Sequence, residues 1–141
     1  MARITLGDEQ QRTLLQAARA ARLNAYAPYS NFLVGAAVLD EQGQVHAGCN
    51  VENAAYPQGV CAEASALSAM VLAGGRRATA LLVAGEGPAW VTPCGGCRQK
   101  LREFASPDTP VLVADGQGVQ LWFTLEELLP HSFGPEHLKQ A

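Results

Sequence analysis

The chain has 141 residues, 48% of them hydrophobic and 16% charged, with a formal net charge of −3 and four cysteines. That length predicts a single domain, residues 1–141, with enough apolar material for an ordinary core, and it excludes a disordered or fibrous chain. No cationic run exceeds Arg76-Arg77, which argues against a nucleic-acid polymer as partner. No apolar run reaches the ~20 residues that span a bilayer, and the N-terminal residues lack the apolar centre of a secretion signal, so the expectation is a soluble, cytoplasmic protein without a membrane partner.

Asp8 to Tyr26 carries Leu14, Leu15, Ala18, Ala21 and Leu23 mostly at three- and four-residue steps, the pattern of an amphipathic helix. A polar turn at Ser30-Asn31 leads into an apolar run from Phe32 to Leu39. Asp40-Glu41-Gln42-Gly43 then returns the chain into Val45 to Val51, predicting a hairpin. Asn53 to Gly59 reads as a loop, and Cys61 to Leu72 as a helix closed by Gly74-Gly75. Thr79 to Val83 suits a strand buried on both faces, and Gly95 to Phe104 a helix ended by Ser106-Pro107. Val111 to Ala114 and Val119 to Phe123 are further strands. Thr124 caps a last helix that Pro130 stops, leaving a peripheral tail from His131. The alternation predicts an α/β domain, a three-layer α/β/α sandwich around a mixed sheet of about five strands.

The cysteines carry the chemistry. Cys61 lies at one predicted helix start, Cys94 and Cys97 at another. Helix N-termini lower thiol pKa values and metal binding removes the remaining protons, so this placement favours three thiolates on one zinc. A catalytic zinc takes three protein ligands and leaves a fourth position for water. Two other readings stand beside this one: a redox pair made of Cys94 and Cys97, and a closed structural site with Cys49 as fourth ligand. Cys49 otherwise packs as a small buried thiol at a strand end. Glu63 separates the readings, because a structural knuckle has no use for an extra carboxylate, whereas a hydrolytic site needs a group that moves protons. His46, His131 and His137 read as ordinary surface positions.

Cys61-Ala62-Glu63 followed by Pro93-Cys94-Gly95-Gly96-Cys97 is the three-cysteine form of the zinc deaminase pattern. With Ala27-Pro28-Tyr29-Ser30-Asn31-Phe32, Gly48-Cys49-Asn50-Val51-Glu52-Asn53 and Ser132-Phe133-Gly134, the chain resembles the short homotetrameric cytidine deaminases that act on free nucleosides. The resemblance runs from Pro28 to the end of the chain. It implies one Zn2+ per chain on Cys61, Cys94 and Cys97, with Glu63 carrying protons from water to the base and to the departing amine. It further implies that the backbone of Ala62 helps hold the base, that Asn50 and Glu52 hydrogen-bond the ribose 3′-hydroxyl, and that Phe32 flanks the nucleoside. Phe133 is implied to cover the base from a neighbouring subunit, with Tyr56 at the same shared wall. The reaction implied is hydrolytic deamination of cytidine and 2′-deoxycytidine in pyrimidine salvage; blasticidin S, another cytosine nucleoside, is the alternative substrate, and a structural zinc or redox protein the alternative class.

One position departs from the family. An arginine usually follows the glutamate and donates to the zinc thiolates, but here Ala64 stands in its place. Zinc with three thiolates carries a formal −1, so the expectation is a less acidic site or a lower turnover than in an arginine-bearing relative, with Arg98 the obvious substitute cation.

Overall fold

The computed structural model describes residues 5–139. It contains helix α1 (Asp8–Arg22), strands β1 (Val34–Asp40) and β2 (Val45–Cys49), and helix α2 (Ala62–Leu72), followed by β3 (Ala78–Gly85) and α3 (Gly95–Phe104). Strands β4 (Pro110–Asp115) and β5 (Gly118–Thr124) and the short helix α4 (Leu125–Leu128) complete the body. The five strands form one sheet in the order β2-β1-β3-β4-β5. The β3–β4 pair is parallel and the other neighbours are antiparallel. The predicted mixed sheet is therefore present, strand for strand.

Alternation along the central strands splits the core in two, since successive side chains point to opposite faces. Val34, Ala36 and Val38 face Ala62, Ala66, Leu67 and Met70 of α2 and Leu101 of α3. Ala37 and Leu39 face Leu14 and Ala18 of α1. Every residue of β1 is buried because both faces are covered, whereas the edge strands β2 and β5 are only partly buried. No helix among the described residues is long and apolar enough to cross a membrane.

Close backbone approach fixes how α2 sits on the sheet. A Cβ added at Gly48 would lie 2.4 Å from the backbone nitrogen of Ala66 and 2.5 Å from Cβ of Ser65. Ser65 also donates its hydroxyl to the Cys49 carbonyl at 2.9 Å. Gly48→Ala therefore has to push α2 off β2, and thermal or urea unfolding should show a loss at the upper end of the ~1–3 kcal/mol usual for overpacking. Because α2 begins at the cysteine cluster, the same substitution should loosen metal retention.

The structure corrects several boundaries. Helix α1 stops at Arg22 rather than at Tyr26, and Leu23, predicted for its apolar face, is 75% exposed. Backbone bonds from Asn24 and Ala25 back to Ala21 and Arg22 turn the chain, and Tyr26 N–H donates to the Asn50 carbonyl at 3.0 Å. Pairing with the end of β2 thus takes the backbone that helix continuation would have used. Strand β1 begins at Val34 because Phe32 belongs to the preceding turn, and β2 ends at Cys49 because Val51 is paired separately with Tyr26 and Val60.

His46 is not a surface residue. Its side chain is 12% exposed and its Nε2 lies 2.8 Å from the buried Asp40 carboxylate. Burial pushes that carboxyl up, but the His46 bond and the backbone N–H groups of Gln44 and Gln42 outweigh it and hold Asp40 below its ordinary value. The stretch from Ser132 to Glu136, expected to be peripheral, is also docked on the body. Arg102 of α3 donates to the Ser132 hydroxyl at 2.8 Å and pairs with Glu136, and Gln99 donates to the Phe133 carbonyl at 2.8 Å.

Candidate active site

Two helix starts converge on one point, as the spacing predicts. Cys61 is the N-cap residue of α2 and Cys94 that of α3, with Cys97 on the first turn of α3. Their three sulfur atoms lie within 4.8 Å of one another, and Cys61 and Cys94 are 3.9 Å apart. A tetrahedral zinc with Zn–S distances of about 2.3 Å separates its sulfurs by about 3.8 Å, so the Cys61–Cys94 spacing already matches zinc and side-chain adjustment closes the rest of the set. Cys49 is not a member of the cluster; it ends β2, partly buried. Three ligands rather than four is the composition of a site with an open position.

The thiols do not all respond to the helix ends in the same way. Desolvation raises the Cys94 thiol, but hydrogen bonds from the Cys97 backbone and from the Cys97 and Cys61 side chains outweigh it, and the net direction is down. Desolvation pushes Cys61 up, with the charges of Cys94 and Glu63 adding to it. Cys97 is pushed up more strongly, by burial and then by Glu63 and Cys61. Without metal, one thiolate is favoured and further negative charge beside it is resisted. A divalent cation removes that resistance.

Glu63 sits on the first turn of α2 and is 5% exposed. It is no solvated helix residue. Burial raises its carboxyl above the ordinary value, opposed by its own backbone N–H, the Cys97 thiol and the charge of Lys100. Ala62 beside it is also buried, in the core cluster beneath the sheet's α2 face. Arg98, the expected substitute cation, has its guanidinium engaged by oxygen acceptors. Its guanidinium donates to the carbonyls of Pro93 at 2.7 Å and Leu128 at 2.8 Å, and to Thr92 Oγ1 at 3.3 Å. It braces the loop that presents Cys94, while the charge felt by Glu63 comes from Lys100.

The residues expected to touch the nucleoside are joined to the cluster by backbone pairing. Val51 and Val60 exchange two hydrogen bonds of 2.9 Å, which sets Asn50 and Glu52 beside the strand segment that leads into Cys61. Asn50 accepts from Val34 N–H at 2.9 Å and donates to the Phe32 carbonyl at 2.8 Å. Glu52 Oε1 accepts from the N–H groups of Tyr29 at 2.9 Å and Ser30 at 3.1 Å, and Oε2 accepts from the Ser30 hydroxyl. Those bonds, with the Ser30 hydroxyl foremost, hold the Glu52 carboxyl below its ordinary value. A cavity of about 370 Å3 opens here, lined by Tyr29, Ser30, Glu52, Asn53, Tyr56 and Gly59.

Tyr56 is 76% exposed and packs edge-on against Tyr29, with ring centroids 6.0 Å apart. Phe32 stands at the rim of the turn, partly exposed. Phe133 does not line the Glu52 cavity; its ring is 56% exposed and stacked on His137 at 4.9 Å. Sequence reasoning passed over Ser30 and Lys100. Ser30 was findable, because a serine two residues before an extended Phe favours the local bond that its Oγ accepts from Phe32 N–H at 3.0 Å.

Residues 8–113 match the family model described as the cytidine and deoxycytidylate deaminase zinc-binding region. A cytidine deaminase of Sporosarcina psychrophila is 41% identical over 128 residues, spanning 91% of this chain and 94% of that protein. One of Halalkalibacterium halodurans is 42% identical over 125 residues, spanning 89% and 95%. Among solved structures, the cytidine deaminase of Burkholderia pseudomallei is 44% identical, with a TM-score of 0.80 over 86% of this chain and 98% of that one. Its sheet, its three-cysteine cluster and these similarities together show that the chain belongs to the zinc-binding cytidine and deoxycytidylate deaminase family.

Proposed function

We propose that the chain, acting as one catalytic domain, hydrolyses cytidine and 2′-deoxycytidine to uridine and 2′-deoxyuridine with release of ammonia. The observation that carries this reading is the buried Glu63 carboxyl set beside three clustered thiols. Cys61, Cys94 and Cys97 hold one zinc. When bound, zinc acidifies water and balances negative charge that the thiols alone resist.

Glu63 moves the protons. Its carboxylate takes one from the attacking water and delivers it to N3 of the cytosine ring as the water oxygen adds to C4. It then carries the proton of the new C4 hydroxyl to the amino group on C4, which leaves as ammonia as the C4 carbonyl forms. Burial supports this use, because a carboxyl whose affinity for protons is raised can hold one between the two transfers. Asn50 and Glu52 hold the ribose 3′-hydroxyl, the Ala62 backbone holds the base, and Phe32 flanks the nucleoside. Asn50 keeps one N–H and one lone pair free beyond the bonds it makes to the turn, which is enough for a sugar hydroxyl.

Association into a homotetramer with shared sites belongs to the same reading. Ala64, Leu67, Val71 and Leu72 line an apolar groove of about 710 Å3 between α2 and α3, with Leu72 90% exposed. A face of that kind favours a protein partner. The exposed rings of Tyr56 and Phe133 are free to complete a neighbour's site. Three free thiols clustered together suit the reducing cytoplasm, where pyrimidine salvage consumes free nucleosides.

The test is an absorbance assay of zinc-loaded protein with cytidine, 2′-deoxycytidine and blasticidin S. Turnover of the first two, and none or little of the third, is the expected result. Turnover of blasticidin S alone moves the substrate assignment, and no turnover of any sinks the enzymatic reading.

A further inference from the structure

Ser30 has no role in the chemistry above, yet it joins the two parts of the nucleoside site. Its hydroxyl donates to Glu52 Oε2 and accepts from Phe32 N–H at 3.0 Å. A hydroxyl has one proton and two lone pairs, so donation to the carboxylate leaves it free to receive the Phe32 N–H, and the two bonds polarise one another. The turn is tight enough for this because Asn31 adopts φ of 58°, a left-handed conformation that asparagine tolerates, with its N–H on the Ala27 carbonyl at 2.9 Å.

The acceptor count on Glu52 narrows what that carboxylate can do. Each carboxylate oxygen offers about two acceptor positions. Oε1 receives two N–H groups, from Tyr29 and Ser30, whereas Oε2 receives the Ser30 hydroxyl alone. The remaining acceptor position is therefore on Oε2, on a residue that lines the 370 Å3 cavity, and the Ser30 hydroxyl sets its direction. On the opposite flank Asn50 grips the Phe32 carbonyl and Val34 N–H. The peptide groups on both sides of Phe32 are thus held from two directions.

We propose that Ser30 is a positioning and specificity-determining residue: its hydroxyl aims the free acceptor of Glu52 at a ribose hydroxyl and fixes the backbone that carries Phe32. The inference rests on the reading above that Glu52 contacts the sugar. Ser30 acts through Glu52 and Phe32 and touches no reacting atom. Its removal therefore raises KM and erodes discrimination for the sugar hydroxyl while leaving the chemical step alone.

The experiment compares kcat and KM for cytidine and 3′-deoxycytidine in the zinc-loaded wild type, Ser30→Ala, Ser30→Thr and Glu52→Gln. Losing one hydrogen bond to a charged group corresponds to about a tenfold change or more. Ser30→Ala is expected to raise KM for cytidine about tenfold, with kcat within about twofold of wild type, and to shrink the preference for cytidine over 3′-deoxycytidine by a similar factor. Ser30→Thr, which keeps the hydroxyl, is expected to restore both. A Ser30→Ala enzyme with wild-type preference, while Glu52→Gln loses it, overturns the role of Ser30 and leaves the sugar contact standing. A wild type that ignores the 3′-hydroxyl, and a Glu52→Gln enzyme that matches it, overturns the sugar contact and with it this inference. Loss of kcat at unchanged KM, or failure of threonine to rescue, also overturns it.

Discussion

Replacing Glu63 by Gln is expected to lower kcat by about 10²- to 10⁴-fold while the protein still binds one zinc per chain. The size follows from what is removed. Glutamine keeps the length and volume of the side chain, so Glu63's place beside Cys97 of α3 is filled, but its amide cannot take up and return a proton at neutral pH. The position is 5% exposed, which leaves bulk water little access for replacing the carboxylate. Glu63→Ala should lose at least as much. Parallel measurement of turnover and bound zinc separates this from a simple loss of metal. Near-normal turnover by either variant would remove Glu63 from the proton transfers and assign them to another group.

Cys97→Ser is expected to fail one step earlier. Cys97 is the buried sulfur of the three and belongs to the first turn of α3. Disturbing groups that merely orient a zinc ligand weakens binding about 10–100-fold, so losing a ligand should exceed that range. A consequence for stability follows, because an ion bound only by the folded state adds about 2.7 kcal/mol when free metal exceeds its Kd a hundredfold. A chelator should therefore lower the Tm of the wild type by about 10 °C and change that of Cys97→Ser little. Differential scanning calorimetry with and without chelator reads this directly. Equal chelator responses in the two proteins would mean that the cluster does not hold the metal.

The thiol pattern bears on both results. In the metal-free protein Cys94 is lowered while Cys61 and Cys97 are raised. Zinc uptake should thus release protons, since the ligands bind as thiolates. Ala64 leaves this balance without a neighbouring guanidinium on α2, and Arg98 is committed to loop carbonyls. Lys100 is the cation whose charge reaches Glu63.

Much of this was legible in the order of residues, because its physical causes are local. Thr124 as a cap needed only its own hydroxyl and the Glu127 N–H three residues on, found at 3.2 Å. The two helix starts that carry Cys61, Cys94 and Cys97 were marked by glycine, proline and apolar spacing. Buried runs such as Leu81 to Val83 announced central strands through their lack of polar alternation. The chemistry of the cluster was legible for a similar reason: three thiols and a carboxylate at such spacing admit few uses.

What the sequence could not contain was the outcome of competition between segments far apart. Tyr26 continues a helical pattern, but the carbonyl of Asn50 captured its N–H, and α1 ended at Arg22. Arg98 stands next to Cys97 in sequence, yet its guanidinium is held by the loop before α3 and by the Leu128 carbonyl 30 residues away. His46 reads as an ordinary surface position until the buried Asp40 claims it. Ser30 and Glu52 are 22 residues apart, and the turn bonds to the carboxylate only because β2 folds back beside β1. Local composition thus determined the elements and the candidate metal ligands, while the direction of each polar side chain was decided by which partner the tertiary fold brought within hydrogen-bonding reach.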